Sequence, residues 1–328
     1  RGTMKFKYIF NLLLLVTVVA CNDEDKLYPR SEDASSISRF EFPQGNSTWD
    51  QDLEEIANTF GTIPIYTAFD SLDLNQAWSG TYTIKYRGEP LSDDYAAFYS
   101  NFMKSQVFVF LKPELCKGVL PNYIYLVDDL RMTGGFSGGF APLACYWDGL
   151  DYWGFSFRAK EENLAYIEYP NGLIIKPYKP YDLPKTSWEY KARRTVILQN
   201  ILAKMVNKGK IAIPSEFQSG GDFDYSQKYS TTVSAENYYM KLGYPGNMVP
   251  TAYNFTNPSG TIDAKTNFAN YLKLGLRYTR DSVLIKYPQE KYPLIIRYYD
   301  STVKYMKDKY SWDITQMAEL PAIIGKNE

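Results

Sequence analysis

Between Thr186 and Gly209 the sequence commits to one long helix, and the rest of the chain has to be arranged around it. Thr186 and Glu189 stand three residues apart, the spacing at which a threonine hydroxyl and a glutamate satisfy each other's open amides at a helix start. Gly209 closes the run, as a residue free to turn left-handed does. Trp188, Ala192, Thr195, Val196, Ile201, Leu202 and Met205 recur at helical spacing between them, so one side is expected to be buried. Taken alone, this is the pattern of a core helix. What chemistry surrounds it has to come from the remainder of the chain.

Histidine is absent from all 328 residues. That excludes a Ser-His-Asp triad, a Cys-His pair and any imidazole-ligated metal. The 36 basic and 37 acidic residues leave a formal charge of -1, so no global field draws the chain to nucleic acid. Aromatic residues make up 16%, with 30 tyrosines, which suit half-buried strands and wet binding surfaces alike. The length is ample for a sizeable core.

The amino terminus reads as a leader. Lys5 and Lys7 precede the apolar run Ile9 to Ala20, which is short for a membrane span and has the order of a signal peptide. The run ends Val18-Val19-Ala20-Cys21, which resembles the lipobox of bacterial lipoproteins, and by that resemblance Cys21 is the lipidated residue. Asn22-Asp23-Glu24-Asp25 resembles the surface-export signal of Bacteroidetes lipoproteins, implying an outer-membrane lipoprotein exposed at the cell surface. Residues 1–21 are therefore expected to be the signal, 22–37 a polar tether reaching about 20–25 Å, and 38–328 one domain with two lobes. Cys116 and Cys145 fit no zinc or redox spacing; a disulfide and two buried thiols are both compatible with the sequence.

Within the body, Ser47 and Thr48 open a helix with Trp49, Leu53, Ile56 and Phe60 on one face, stopped by Gly61. Thr62 to Phe69, Thr81 to Tyr86 and Tyr123 to Val127 read as strands. A helix from Asp93 or Asp94 runs toward Phe110 and is interrupted by Pro113. Ala144 to Trp153 reads as a hairpin about Asp148-Gly149, and Ala165 to Tyr178 as another about Asn171-Gly172. Helices follow from Asp263, from Tyr292 and after Ser311. Mixed strands and helices first, then helices, predict an α+β fold.

Four motifs compete for function. Gly135-Phe136-Ser137-Gly138-Gly139 matches a nucleophile elbow, but Pro142 spoils the following helix and no histidine base exists. Ser301 and Lys304 match S-x-x-K without its companion motifs, and read better as a solvated helix face. The acids Asp50, Asp52, Glu54 and Glu55, Asp93 and Asp94, and Asp222 and Asp224 offer carboxylates for glycoside hydrolysis, though capping accounts for each. Tyr146, Trp147, Tyr152 and Trp153 bracket one turn and are candidates for a ligand platform, with alternation sending some of them inward.

The order of these features resembles the zinc-binding metallopeptidase lipoproteins of Bacteroidetes, a zincin-like family. There an H-E-x-x-H helix is followed by a P-x-x-F segment, matched here by Pro214-Ser215-Glu216-Phe217, then by passages similar to Leu242-Gly243-Tyr244 and Ala252-Tyr253. A later helix carries an E-D-F-A-E-like motif, where this chain has Thr266-Asn267-Phe268-Ala269-Asn270. The resemblance places Gln199 at the first histidine, Asn200 at the catalytic glutamate, Ala203 at the second histidine and Asn270 at the last acid. It implies a zincin-like fold with no catalytic residue, no metal and no cofactor. The function that follows is a surface-tethered pseudoenzyme that binds peptide or glycan as an accessory protein. An enzyme with a carboxylate site, an atypical peptidase, and a structural partner of an outer-membrane uptake complex are the alternatives.

Overall fold

The computed structural model describes residues 39–76, 85–133, 140–160, 167–168, 174–175, 180–248 and 253–323. Cys21, its flanking leader and tether, the Gly135–Gly139 loop and the Asn171-Gly172 turn lie outside the described residues. Residues Phe40–Glu328 form one compact unit. No helix among the described residues is long and apolar enough to cross a membrane.

Helix α1 (Thr48–Phe60) starts where its sequence asks it to: Ser47 and Asp50 satisfy each other's amides, and Gly61 ends it with φ +68°. Strand β1 (Ile63–Ile65) follows directly, then β2 (Tyr86–Glu89). Helix α2 (Asp93–Phe102) does not run uniformly to Phe110. It loosens into a π turn over Met103–Val107 and tightens into a 3-10 turn over Phe108–Phe110. Pro113, expected only to interrupt, opens the one-turn helix α3 (Pro113–Cys116), where its missing N–H costs nothing.

Strands β3 (Tyr123–Leu126), β6 (Cys145–Tyr146) and β7 (Tyr152–Phe155) join β1 in a four-stranded sheet of order β1-β3-β7-β6. The first three strands run parallel and β6 is antiparallel to β7. All four residues of β3 and of β7 are buried, as strands covered on both faces require. Strand β4 (Asp128–Thr133) is the centre of a separate antiparallel sheet, between β2 and β5 (Phe140–Pro142), and β8 (Ile167–Glu168) pairs with β9 (Ile174–Ile175).

Helices dominate thereafter: α4 (Ser187–Asn207), α5 (Ala264–Arg277), α6 (Arg280–Lys286) and α7 (Pro293–Tyr310), closed by a 3-10 turn at Ile314–Ala318. The chain is α+β, with its sheets in the first half and its longest helices in the second. One apolar core joins the halves through Phe102, Phe157 and Tyr190, whose rings lie 4.4–5.6 Å apart along the chain of contacts. Cys116 and Cys145 are buried free thiols, and burial pushes both up to about 12.

Candidate functional site

Helix α4 is built as predicted at its ends. The Glu189 amide donates to the Thr186 hydroxyl at 3.2 Å, and the Thr186 amide donates to the Glu189 carboxylate at 2.9 Å. Gly209 turns left-handed with φ +70°. Its middle differs from a one-sided helix. Trp188, expected inward, is 59% exposed, because the buried face runs through Tyr190, Arg194, Ile197 and Ile201, and Trp188 lies off it. Further along, burial extends to Lys191, Arg194, Thr195 and Gln199 as well as to Leu198 and Leu202.

The polar residues on this buried side face α5 and the carboxyl-terminal turn. Lys191 donates to the Ala318 carbonyl, and Arg194 donates to the carbonyl of Met317 at 2.9 Å and to the side-chain oxygen of Gln106 at 3.2 Å. Gln106 lies in the π turn, so that widened turn presents an amide to a buried cation from the other half of the molecule. Arg277, the last residue of α5, is completely buried and donates to Gln199 Oε1 at 3.1 Å. Its guanidinium also meets the Met248 sulfur and lies 5.0 Å from the Tyr253 ring and 4.9 Å from that of Phe255. Desolvation pushes both Arg194 and Arg277 down to about 10, which still leaves them cationic at neutral pH.

The four positions assigned from the motif order therefore have definite surroundings. Gln199 turns its oxygen to a guanidinium. Asn200 donates back to the Val196 carbonyl at 2.7 Å, and Ala203 is a half-buried methyl. Asn270 is buried on α5, its side-chain oxygen without a hydrogen bond among the described residues. Asn267 is buried one turn earlier and donates to the Tyr225 hydroxyl at 3.3 Å. A zinc site needs anionic or imidazole donors converging on one point. Here the donors are neutral amides and the nearest charge is positive, so these residues do not fit a zinc ion. Among the described residues no three of Cys, Asp and Glu come together as a metal-binding set.

The aromatic platform is corrected by its burial. Tyr146, Tyr152 and Trp153 are all under 9% exposed, and Trp147 is half-buried. Both arms of the hairpin lie in the sheet, so their rings meet each other: Trp147 lies edge-on to Trp153 at 5.0 Å and to Phe155 at 5.1 Å, while Tyr146 meets Tyr86 at 4.2 Å. The Tyr152 hydroxyl donates to the Leu74 carbonyl at 2.5 Å. Carboxylates of two of the three acidic clusters are similarly occupied, while Asp93 and Asp94 sit exposed in the first turn of α2. Asp50 caps α1 and accepts from the Tyr66 hydroxyl, Asp52 and Glu55 hold Lys104, Asp222 holds Arg297, and Asp224 accepts from Ser226. Ser301 donates to Glu216 and Lys304 pairs with Asp308, so the S-x-x-K residues point to different partners.

An open groove of about 760 Å³ lies at the carboxyl-terminal end of α4. Lys204, Asn207 and Lys208 form one wall, on the helix face that continues from Asn200 and Ala203 at three- and four-residue spacing. The segment Val119–Asn122 and the turn Gly149–Asp151 form the others, with Trp153 at the base. The Lys204 ammonium lies 5.4 Å over the Trp153 ring, and Lys208 donates to the Gly118 carbonyl at 2.6 Å. Sequence reasoning missed this groove because its walls come from three distant segments. It also passed over the buried cations, although Lys191 and Arg194 share a helix face with Leu198 and Leu202, a legible anomaly.

No family model matches the chain, and no curated protein matches it. Among solved structures it is similar to one described as a "putative zinc-binding metallo-peptidase from Bacteroides caccae ATCC 43185", with 13% identity over 84% of this chain and 92% of that one, at a TM-score of 0.43. That similarity is distant in both sequence and shape. What stands for this chain is the α+β class, with a distant resemblance to a described metallopeptidase.

Proposed function

We propose that this chain is a non-catalytic binding protein, zincin-like in frame, held at the outer surface of the outer membrane by a lipid on Cys21. It serves as an accessory protein that captures a peptide or glycan. The observation that carries this reading is the contact between Arg277 and Gln199. A guanidinium seated against the position of a first zinc ligand opposes a divalent cation by direct repulsion in a dry interior. Asn200 is no general base at neutral pH, so a water molecule would be neither metal-activated nor deprotonated there. Binding needs none of that chemistry, and a concave site of suitable size remains beside α4. The lipobox residues Val18 to Cys21 and the acidic run after them support the anchor and its surface address.

The test is turnover against capture. The purified chain is incubated with a quenched-fluorescent peptide library and a polysaccharide panel, with added zinc and separately with chelator. The expected result is no hydrolysis in either condition and saturable binding to one ligand class. Peptide cleavage that a chelator stops would overturn the reading.

A further inference from the structure

We infer that the groove at the end of α4 is a site for a uronate-bearing saccharide, with the ligand's carboxylate on Lys204 and Lys208 and its hydroxyls on Asn122, Asn207 and Asp151. This rests on the binding-protein reading. The volume of about 760 Å³ falls among small-ligand clefts, which span roughly 300–1,000 Å³.

The charge argument turns on Lys204. Lysines near a helix carboxyl terminus are ordinarily explained by the exposed carbonyls there, and Lys208, bonded to the Gly118 carbonyl, needs no more than that. Lys204 is different. It too lies in the last turn, but it is half-buried, four residues from a like charge, with the Trp153 ring beneath it. Among the described residues no salt bridge reaches it. Burial, with Lys208 adding to it, lowers its proton affinity, and Asp148 opposes. An anion entering the groove would offset both the desolvation and the repulsion between the two ammonium groups.

Hydroxyl recognition follows from the chemistry of the other groups in the groove. A bound peptide would need backbone partners, and two carbonyls at this lip are already engaged with the sheet. The Asn122 carbonyl accepts from Ile63 at 2.8 Å, and the Asp151 carbonyl accepts from Tyr123 at 3.0 Å. The side chains of the walls are two exposed or rim amides, which both donate and accept, and one carboxylate, which only accepts. Sugar hydroxyls match that mixture, and a peptide of acidic residues has none to offer. Because Trp153 is 4% exposed and covered by Lys204, its ring offers no stacking face. Recognition therefore runs through charge and hydroxyls.

The experiment is calorimetric titration of the full chain with trigalacturonate, its methyl ester and pentaglutamate, on wild type, Lys204→Met and Asn207→Ala. Trigalacturonate should bind at least tenfold more tightly than the ester or the peptide. Lys204→Met should abolish that preference, while Asn207→Ala, an exposed change with an unaltered melting temperature, should weaken trigalacturonate severalfold. Equal binding of the ester, preference for pentaglutamate, or full affinity in folded Lys204→Met and Asn207→Ala would overturn the inference. None of these outcomes touches the binding-protein reading, which fails only through chelator-sensitive turnover.

Discussion

The two halves of the molecule treat buried charge differently. In the sheet-bearing half, charges meet charges. Asp128, 5% exposed, accepts from Arg158 at 2.9 and 2.5 Å and lies 3.3 Å from Lys160, while the buried Arg131 donates to Asp129 at 2.8 Å. The hydrogen bonds to Asp128 raise the Arg158 proton affinity. In the helical half, the described partners of Lys191, Arg194 and Arg277 are carbonyls, side-chain amides, a sulfur and aromatic faces. Desolvation is the leading influence on all three there, and it lowers them. The difference teaches that among the described contacts a buried cation can be held mainly by dipoles, with Glu319 the one acid acting on Lys191, at the cost of excluding other cations from the same space. Removing one member of a charge pair strands the other; removing a dipole-solvated cation strands no opposite charge.

That contrast is broken most severely by Arg277→Ala. It deletes a fully buried side chain and leaves a cavity between α5 and the Tyr253 and Phe255 rings, so a loss of about 3–4 kcal/mol is expected from chemical denaturation. Asp128→Ala comes next. It leaves Arg158 and Lys160 without their shared carboxylate, and about 2–3 kcal/mol should be lost, more at low salt than at high salt because both cations are partly solvated. Arg277→Met should cost only about 1 kcal/mol, since it keeps most of the volume and the described partners it gives up are an amide, a sulfur and aromatic faces. If Arg277→Met were as damaging as Arg277→Ala, the helical half would depend on that charge and the contrast would collapse.

The smallest effect is on pH dependence. Burial, with Arg277 adding to it, pushes Lys273 on α5 down to about 8 from the 10.5 of a free lysine. Between those values the unfolded chain holds a proton that the folded chain releases, so unfolding takes up a proton and stability rises with pH. Lys191, Lys204 and Lys286 are lowered too and add to the same slope. The buried thiols of Cys116 and Cys145 and buried tyrosines such as Tyr225 and Tyr244, all raised by burial, pull stability the other way as pH rises, so the lysine contribution is read as a difference: Lys273→Met should stabilise the protein slightly at pH 7 relative to wild type, and that advantage should shrink from pH 8 to 10. A melting-temperature advantage of Lys273→Met over wild type that grows across that window would contradict this sign.

Much of the architecture was legible because it is local. Ser47 with Asp50, and Thr186 with Glu189, are capping boxes in the folded chain as they are in the sequence, and Gly61 and Gly209 are left-handed. Asp263 caps α5 through the Thr266 amide. The antiparallel pairing expected around Asp148-Gly149 forms, but in a wider register than a two-residue turn gives: Cys145 pairs with Phe155 and Tyr146 with Gly154, so the connection is a longer loop and the second arm extends beyond Trp153. The β8–β9 pairing is described, although its Asn171-Gly172 turn is not. What was not legible depends on distant partners. Alternation along Tyr146 to Trp153 announces two faces, but only distant packing decides that both faces of β7 are covered, with Trp153 and Phe155 in one apolar cluster and Tyr152 in another. Nothing near Gln199 in the sequence names Arg277, which reaches it only because α4 and α5 lie together. The groove has the same origin, since Lys204 and Asp151 are brought together by the meeting of a helix end and a strand start.

The account rests on the identity of what stands against Gln199, and native mass spectrometry of the purified chain after incubation with excess zinc and buffer exchange tests that most directly. The predicted spectrum shows the metal-free mass alone. A species carrying one zinc per chain, retained through exchange and lost on chelation, would contradict it.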